Sequence, residues 1–267
     1  MSSARRGKRN KSPRQPVDEP IPEPESSYSL PRLARLGDLK RLRALLEGTT
    51  RIPKRREETS EEGGLDAAGG DEGARGGRAK ESKEPEFEPV PDINDKDSTQ
   101  MSALAHACRA DHVEIVEYLL ENSADADSMG EAGLRPIHHA AVSPSDRVVK
   151  LLVNAGADVT VTDDENRTPL HYAASRGFVN AMSVLADAGA DVNAVTHHGV
   201  TALHAAANNG QGSATVFLLG RGATVNGKDS GGNTALHMAA AGGFRRICRL
   251  LLEKDADKDV TNMCVMK

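Results

Sequence analysis

The apolar positions of this chain recur at a fixed interval. Ser102, Arg135, Thr168, Thr201 and Thr234 lie 33 residues apart, each followed by a similar run of small and apolar residues. The run after Thr168 reads Pro-Leu-His-Tyr-Ala-Ala, and those after Thr201 and Thr234 read Ala-Leu-His-Ala-Ala-Ala and Ala-Leu-His-Met-Ala-Ala. Each register predicts two short helices. The hydroxyl of Thr168 or Thr201 can cap the first, and Pro136 and Pro169 suit its first helical position. The paired alanines let neighbouring helices approach closely. The second helix carries Ile115, Val116, Leu119 and Leu120, or Val148, Val149, Leu151 and Leu152, at helical spacing. Gly156, Gly189 and Gly222 recur where a left-handed residue would end that helix. A polar turn such as Asp163-Asp164-Glu165-Asn166 comes next. One such unit cannot bury its apolar face alone, so stacking of units must build the core.

The period of 33, the Thr-Pro-Leu-His run and the Gly-Ala-Asp-Val run together resemble the ankyrin repeat. The resemblance covers 92–262, with repeats near 99–128, 132–161, 165–194, 198–227 and 231–260. It implies an all-α solenoid: helix–turn–helix units, each followed by a β-hairpin finger. A divergent first repeat is expected over 28–50, where Leu30, Ala34, Gly37, Leu39, Leu42 and Leu45 fit the template if Tyr28 takes the Thr register. Tyr28 and Ser102 are 74 residues apart rather than 33, so an insertion interrupts the first finger. Residues 51–91 are Gly-rich and charged, and 1–27 are Pro-rich and basic; both are expected to be disordered. The pattern decays after about Asn262, leaving 263–267 as an irregular end. The last helix carries Ile247, Leu250, Leu251 and Leu252 with no polar capping repeat behind it. The expectation is a piece of a longer array, or an end that Cys248 and Met263 close against a partner.

Composition narrows the chemistry. Of 267 residues 38% are hydrophobic but only 3% aromatic, with no Trp, so the core must be built from Ala, Leu and Val. The net charge of −5 is uneven: Lys and Arg lead by five in 1–50, whereas Asp and Glu lead by seven in 92–267. An acidic body argues against nucleic acid as the main partner. Three cysteines without a pairing pattern suggest a reducing compartment. No apolar run is long enough to cross a membrane, and no signal-peptide core is visible. The expected location is the cytoplasm, and the nucleus if Arg5, Arg6, Lys8, Arg9 and Lys11 act as an address. Ser12, which precedes Pro13, is a candidate phosphosite that would lower the charge of that run.

No catalytic constellation emerges. His138, His171, His204 and His237 recur every 33 residues, but stacked helices lie about 8–10 Å apart and zinc ligands must lie about 2 Å from one ion. These histidines are expected to make structural hydrogen bonds beside the Thr cap. Residues 222–228 match the start of a phosphate-binding loop, yet Asp229 stands where Ser or Thr must hold magnesium. Nothing assembles a nucleophile, a base and an orienting group. No cofactor, metal or small-molecule substrate is implied, and the chain is expected to be non-enzymatic.

The resemblance also implies where a partner would lie, across the finger tips and first helices of the concave face. Carried over by register, the candidates are Met129, Glu131 and Leu134; Thr162, Asp164, Glu165, Arg167, Ser175 and Arg176; Val195, His197, His198, Val200, Asn208 and Asn209; and Lys228, Ser230 and Asn233. Asp163, Asp164 and Glu165 are expected to form an acidic tip for a basic peptide. His197, His198, Val200, Asn208 and Asn209 form a neutral patch. Asn193 resembles the asparagine that hydroxylases modify in this family. The function expected is that of a scaffold, adaptor or regulatory subunit that binds one or more proteins. The alternatives are a nuclear regulator, and the N-terminal array of a larger channel, kinase or scaffold.

Overall fold

A computed structural model describes residues 29–48 and 90–263. The tail with Arg5, Arg6, Lys8, Arg9, Lys11 and Ser12 lies outside these residues, as do most of the 51–91 insertion and the last four residues. Among the described residues the helices are α1 (Leu30–Leu36), α2 (Leu39–Leu46), α3 (Ala103–Arg109), α4 (Val113–Glu121), α5 (Pro136–Ala141), α6 (Asp146–Asn154), α7 (Pro169–Arg176), α8 (Val179–Asp187), α9 (Ala202–Asn208), α10 (Gly212–Gly220), α11 (Ala235–Ala241) and α12 (Arg245–Leu252). The odd-numbered helices pack side by side in one row from α1 to α11. Behind them α4, α6, α8, α10 and α12 form a second row. Each helix pair packs internally as well, so the chain is an all-α solenoid.

The core runs unbroken between the two rows. Leu104, Ile137, Leu170 and Leu203 on the first helices meet Leu119, Leu152, Leu185 and Leu218 on the second, all nearly or fully buried. Alanines at 107, 140, 141, 173, 174, 206 and 207 are fully buried at the seams, where a larger side chain would push the rows apart. Burial of each Leu contributes about 1.5–3 kcal/mol, and neighbouring repeats share it. Gly156, Gly189 and Gly222 have φ of 88°, 99° and 83°, the left-handed values that end α6, α8 and α10.

The recurring histidines tie repeat to repeat. The Thr168 N–H donates to His171 Nδ1 at 3.1 Å, and the Thr168 hydroxyl lies 2.9 Å from the same nitrogen. Because Nδ1 accepts, the ring proton sits on Nε2. Nε2 then donates to the Val200 carbonyl of the next repeat at 3.0 Å. His204 repeats this with Thr201 and the Asn233 carbonyl, and His138 reaches the Arg167 carbonyl. Burial holds the His138, His171 and His204 pKa values below the ordinary range, against the upward pull of those carbonyls. The neutral ring that the geometry needs is therefore the stable form.

The fingers depart from the expected hairpins. Among the described residues pairing shrinks to two isolated bridges, Lys96 with Ser102 and Val195 with Thr201. The tips are held by turns and by one backbone bond to the next finger. The N–H groups of Asp164, His197, Ser230 and Met263 donate to the carbonyls of Ala132, Glu165, His198 and Gly231. These bonds span the solenoid like rungs.

Candidate protein-binding face

Four of the fingers are each closed by one side chain at a repeating register. Asp97 Oδ1 accepts from the N–H of Thr99 and Met101, at 2.8 and 3.2 Å. Asp163 does the same for Glu165 and Arg167, and Asp229 for Gly231 and Asn233. In the fourth repeat Thr196 Oγ1 takes this role for His198 and Val200. The short acceptor fixes the turn and aims the tip side chains at solvent.

Asp163 therefore does not belong to an acidic tip. It is 5% exposed and accepts from the Tyr172 hydroxyl at 2.6 Å and from Arg167 Nε at 2.7 Å. Burial pushes its carboxyl up, but the bonds from Tyr172 and Arg167 outweigh this and hold its pKa below the ordinary value. Tyr172 is pushed up, first by burial and then by Asp163. Arg167 is spent on this knot and also lies over the Tyr172 ring, 5.2 Å from its centroid. The tip is left with Asp164 and Glu165, both exposed, and with His198 3.8 Å from Glu165.

The other candidates divide in the same way. Met129, Glu131, Thr162, Arg176, Val195, His197, His198, Asn208, Asn209, Lys228 and Ser230 are exposed. Leu134, Ser175, Val200 and Asn233 are half-buried. Asn233 binds both carboxylate oxygens of Asp229 and accepts from Asn262, so it braces the fifth finger. Ser175 donates to the Tyr172 carbonyl. The Val195 carbonyl accepts from Asn166 Nδ2 at 2.7 Å, which ties two neighbouring fingers together. Asn193 is exposed, but its amide is engaged twice: Oδ1 accepts from the Thr224 N–H at 2.8 Å and Nδ2 donates to the Gly222 carbonyl at 3.3 Å. Asn226 makes the equivalent clasp to Asp257 and Asp255. At that register in the second repeat stands Thr160, whose hydroxyl turns back to Asp158.

Sequence reasoning missed one place on this face. A cavity of about 620 Å³ lies between the divergent N-terminal repeat and the two repeats after it, lined by Arg35, Met101, His106, Arg109, Leu134 and His139 among others. Asp97 Oδ2 lies 2.7 Å from His106 Nε2. Burial pushes the Asp97 carboxyl up, but bonds from Thr99, His106 and the Met101 N–H outweigh it and hold the pKa at about 2. Nine residues separate Asp97 from His106, as they separate Asp163 from Tyr172. That shared interval was the available signal. In the second repeat the pair is Gly130 and His139.

Among the described residues no cluster of His, Cys, Asp and Glu is placed to hold a metal, and no helix is long and apolar enough to cross a membrane. Cys108 is fully buried and its thiol pushed far up by burial, so it is no nucleophile. No curated protein matches the chain. The profile of the family described as "Ankyrin repeats (3 copies)" matches residues 87–163, 137–229 and 194–262, which overlap into one stretch over more than half the chain. Stacked helix pairs, tied fingers and this match agree: the chain belongs to the ankyrin repeat family.

Proposed function

We propose that this chain is a non-enzymatic scaffold, adaptor or regulatory subunit that holds a partner protein across its finger tips and first helices. One observation carries the reading. The side chains that brace the fingers point inward, while Asp164, Glu165, His197, His198, Asn208 and Asn209 stand exposed on the braced frame. Such a frame loses little entropy on docking, because its loops are already ordered. The acidic pair at 164 and 165 suits a basic element of the partner, and the neutral patch beside it suits a polar and partly apolar one. Ankyrin repeats are generally protein–protein interaction modules, which fits this reading.

The test is proximity labelling of the full chain beside a variant with those six residues changed together. A discrete set of proteins lost in the variant, with circular dichroism unchanged, is expected. Identical lists from the two proteins would move binding off this surface.

A further inference from the structure

We propose that the cavity between the divergent N-terminal repeat and the two repeats after it is an acidic-side-chain pocket, in which Arg35, Arg109 and His139 take an Asp or Glu of a partner peptide while Met101 and Leu134 receive its apolar neighbour. This rests on the reading of the chain as a protein-binding module and names the partner's chemistry at one place.

His139 is 9% exposed, its ring nitrogens open to solvent at the cavity, and no group among the described residues bonds them. Its equivalents are satisfied: His106 faces Asp97 and Tyr172 donates to Asp163. The finger residue that should face His139 is Gly130, which has no side chain. A Cβ on Gly130 would lie 3.1 Å from the Leu134 carbonyl oxygen and 3.3 Å from that of Gln100, so the approach of two backbones keeps this position bare.

Charge gives the acceptor its sign. Arg35 in α1 and Arg109 in α3 hold the same register on adjacent first helices. Both are exposed, and neither makes an ion pair among the described residues. The same register carries Val142, Ser175 and Asn208 further along, so two cations stand together only here. Burial, together with the charge of Arg109 and then of His138 and His106, holds His139 down at about 4. The neutral ring keeps one N–H to donate. Of the carboxylates that line the cavity, Asp97 is consumed by His106, Thr99 and two backbone N–H groups, and Glu131 stands exposed on the finger. Bidentate guanidinium–carboxylate contacts make an acidic side chain the fitting ligand.

A random-peptide phage library selected on the full chain tests this. Enriched peptides should carry Asp or Glu beside an apolar residue. Binding of a synthetic representative should fall at least about tenfold on a variant combining R35S, R109S and H139A, and as much when its acid is changed to the amide. Ser and Ala already stand at the equivalents of Arg109 and His139, in Ser175 and Ala205, so the variant should keep its thermal midpoint. The His139 ring resonances should also move with the acidic peptide and not with its amide. Peptides without an acid, equal binding to the variant, or no enrichment would each overturn the pocket. Loss on the six-residue variant of the previous section, but not on this one, would overturn the pocket and leave the broader reading standing. Loss on neither would overturn both.

Discussion

The second and third repeats share a backbone plan and differ in one side chain at its centre. In the third, Asp163 gathers Tyr172, Arg167 and two N–H groups into a closed knot. In the second, the same finger closes through the same backbone bond, Gly130 N–H to the Leu134 carbonyl at 2.7 Å, with nothing to gather. The turn there is a short 3-10 segment, Glu131–Gly133, with Ala132 in the left-handed region at φ 56°. A polar residue whose atoms are all taken by its own neighbours has none left for a partner. Where the internal acceptor is absent, the surrounding donors are left over, and they face a cavity. Regularity and availability are thus opposed in a repeat protein, and binding chemistry is sought where a register breaks.

The largest expected effect leaves this contrast aside and tests the frame beneath it. Leu185→Asp places a charge at a fully buried position of the shared core. A loss of about 4 kcal/mol or more is expected, read as collapse of the urea transition followed by circular dichroism. The charge reversal D164K/E165K should leave that transition in place while weakening a basic partner. Equal loss of helical signal in both variants would erase the division between frame and display.

Opening the closed knot comes next. Asp163→Ala strands the Tyr172 hydroxyl, Arg167 and two N–H groups, and should cost about 2–3 kcal/mol of unfolding free energy, read by urea denaturation. The knot also predicts a pH response. The Asp97 and Asp163 pKa values lie below the ordinary carboxyl value in the folded chain, so the stability they contribute is present above that ordinary value. It is lost as pH falls through the folded pKa values, which for Asp97 means from 3.8 towards about 2. The thermal midpoint should drop over that window, and the drop should be smaller in Asp163→Ala.

Closing the open repeat should do the converse. Gly130→Asp offers His139 a carboxylate, at the cost of pressing Cβ against two carbonyl oxygens. The His139 pKa should rise from about 4, because a nearby negative charge favours the charged ring, and proton NMR of that ring reads it directly. An unchanged titration would mean that the two registers are not equivalent. The smallest effect concerns the missing clasp. Thr160→Asn restores at the second repeat the side chain that Asn193 and Asn226 use to hold the following turn, and should raise the unfolding free energy by about 0.5–1 kcal/mol.

Much of the fold was legible because its causes are local and periodic. The 33-residue interval, the Pro residues at the starts of α5 and α7 and the left-handed glycines at 156, 189 and 222 each report backbone geometry one residue at a time. The structural role of His171 was legible too, since equivalent positions on stacked helices cannot converge on one ion. The fingers were less so. Whether an acidic tripeptide is a tip or a buried knot depends on a hydroxyl nine residues away, which composition does not register. The clasp of Asn193 joins atoms one repeat apart, and the arginine pair of the pocket joins α1 to α3 across the insertion. Columns read across repeats, rather than runs read along the chain, would have exposed both.

The central claim is that partners bind the row of first helices and fingers, entering where the second repeat is open. Hydrogen exchange of the full chain with and without a library-selected peptide tests it most directly. The account predicts slowed exchange at 97–109 and 130–141, with α4, α6 and α8 unchanged. Protection confined to α4, α6 and α8, or to α12, would contradict it.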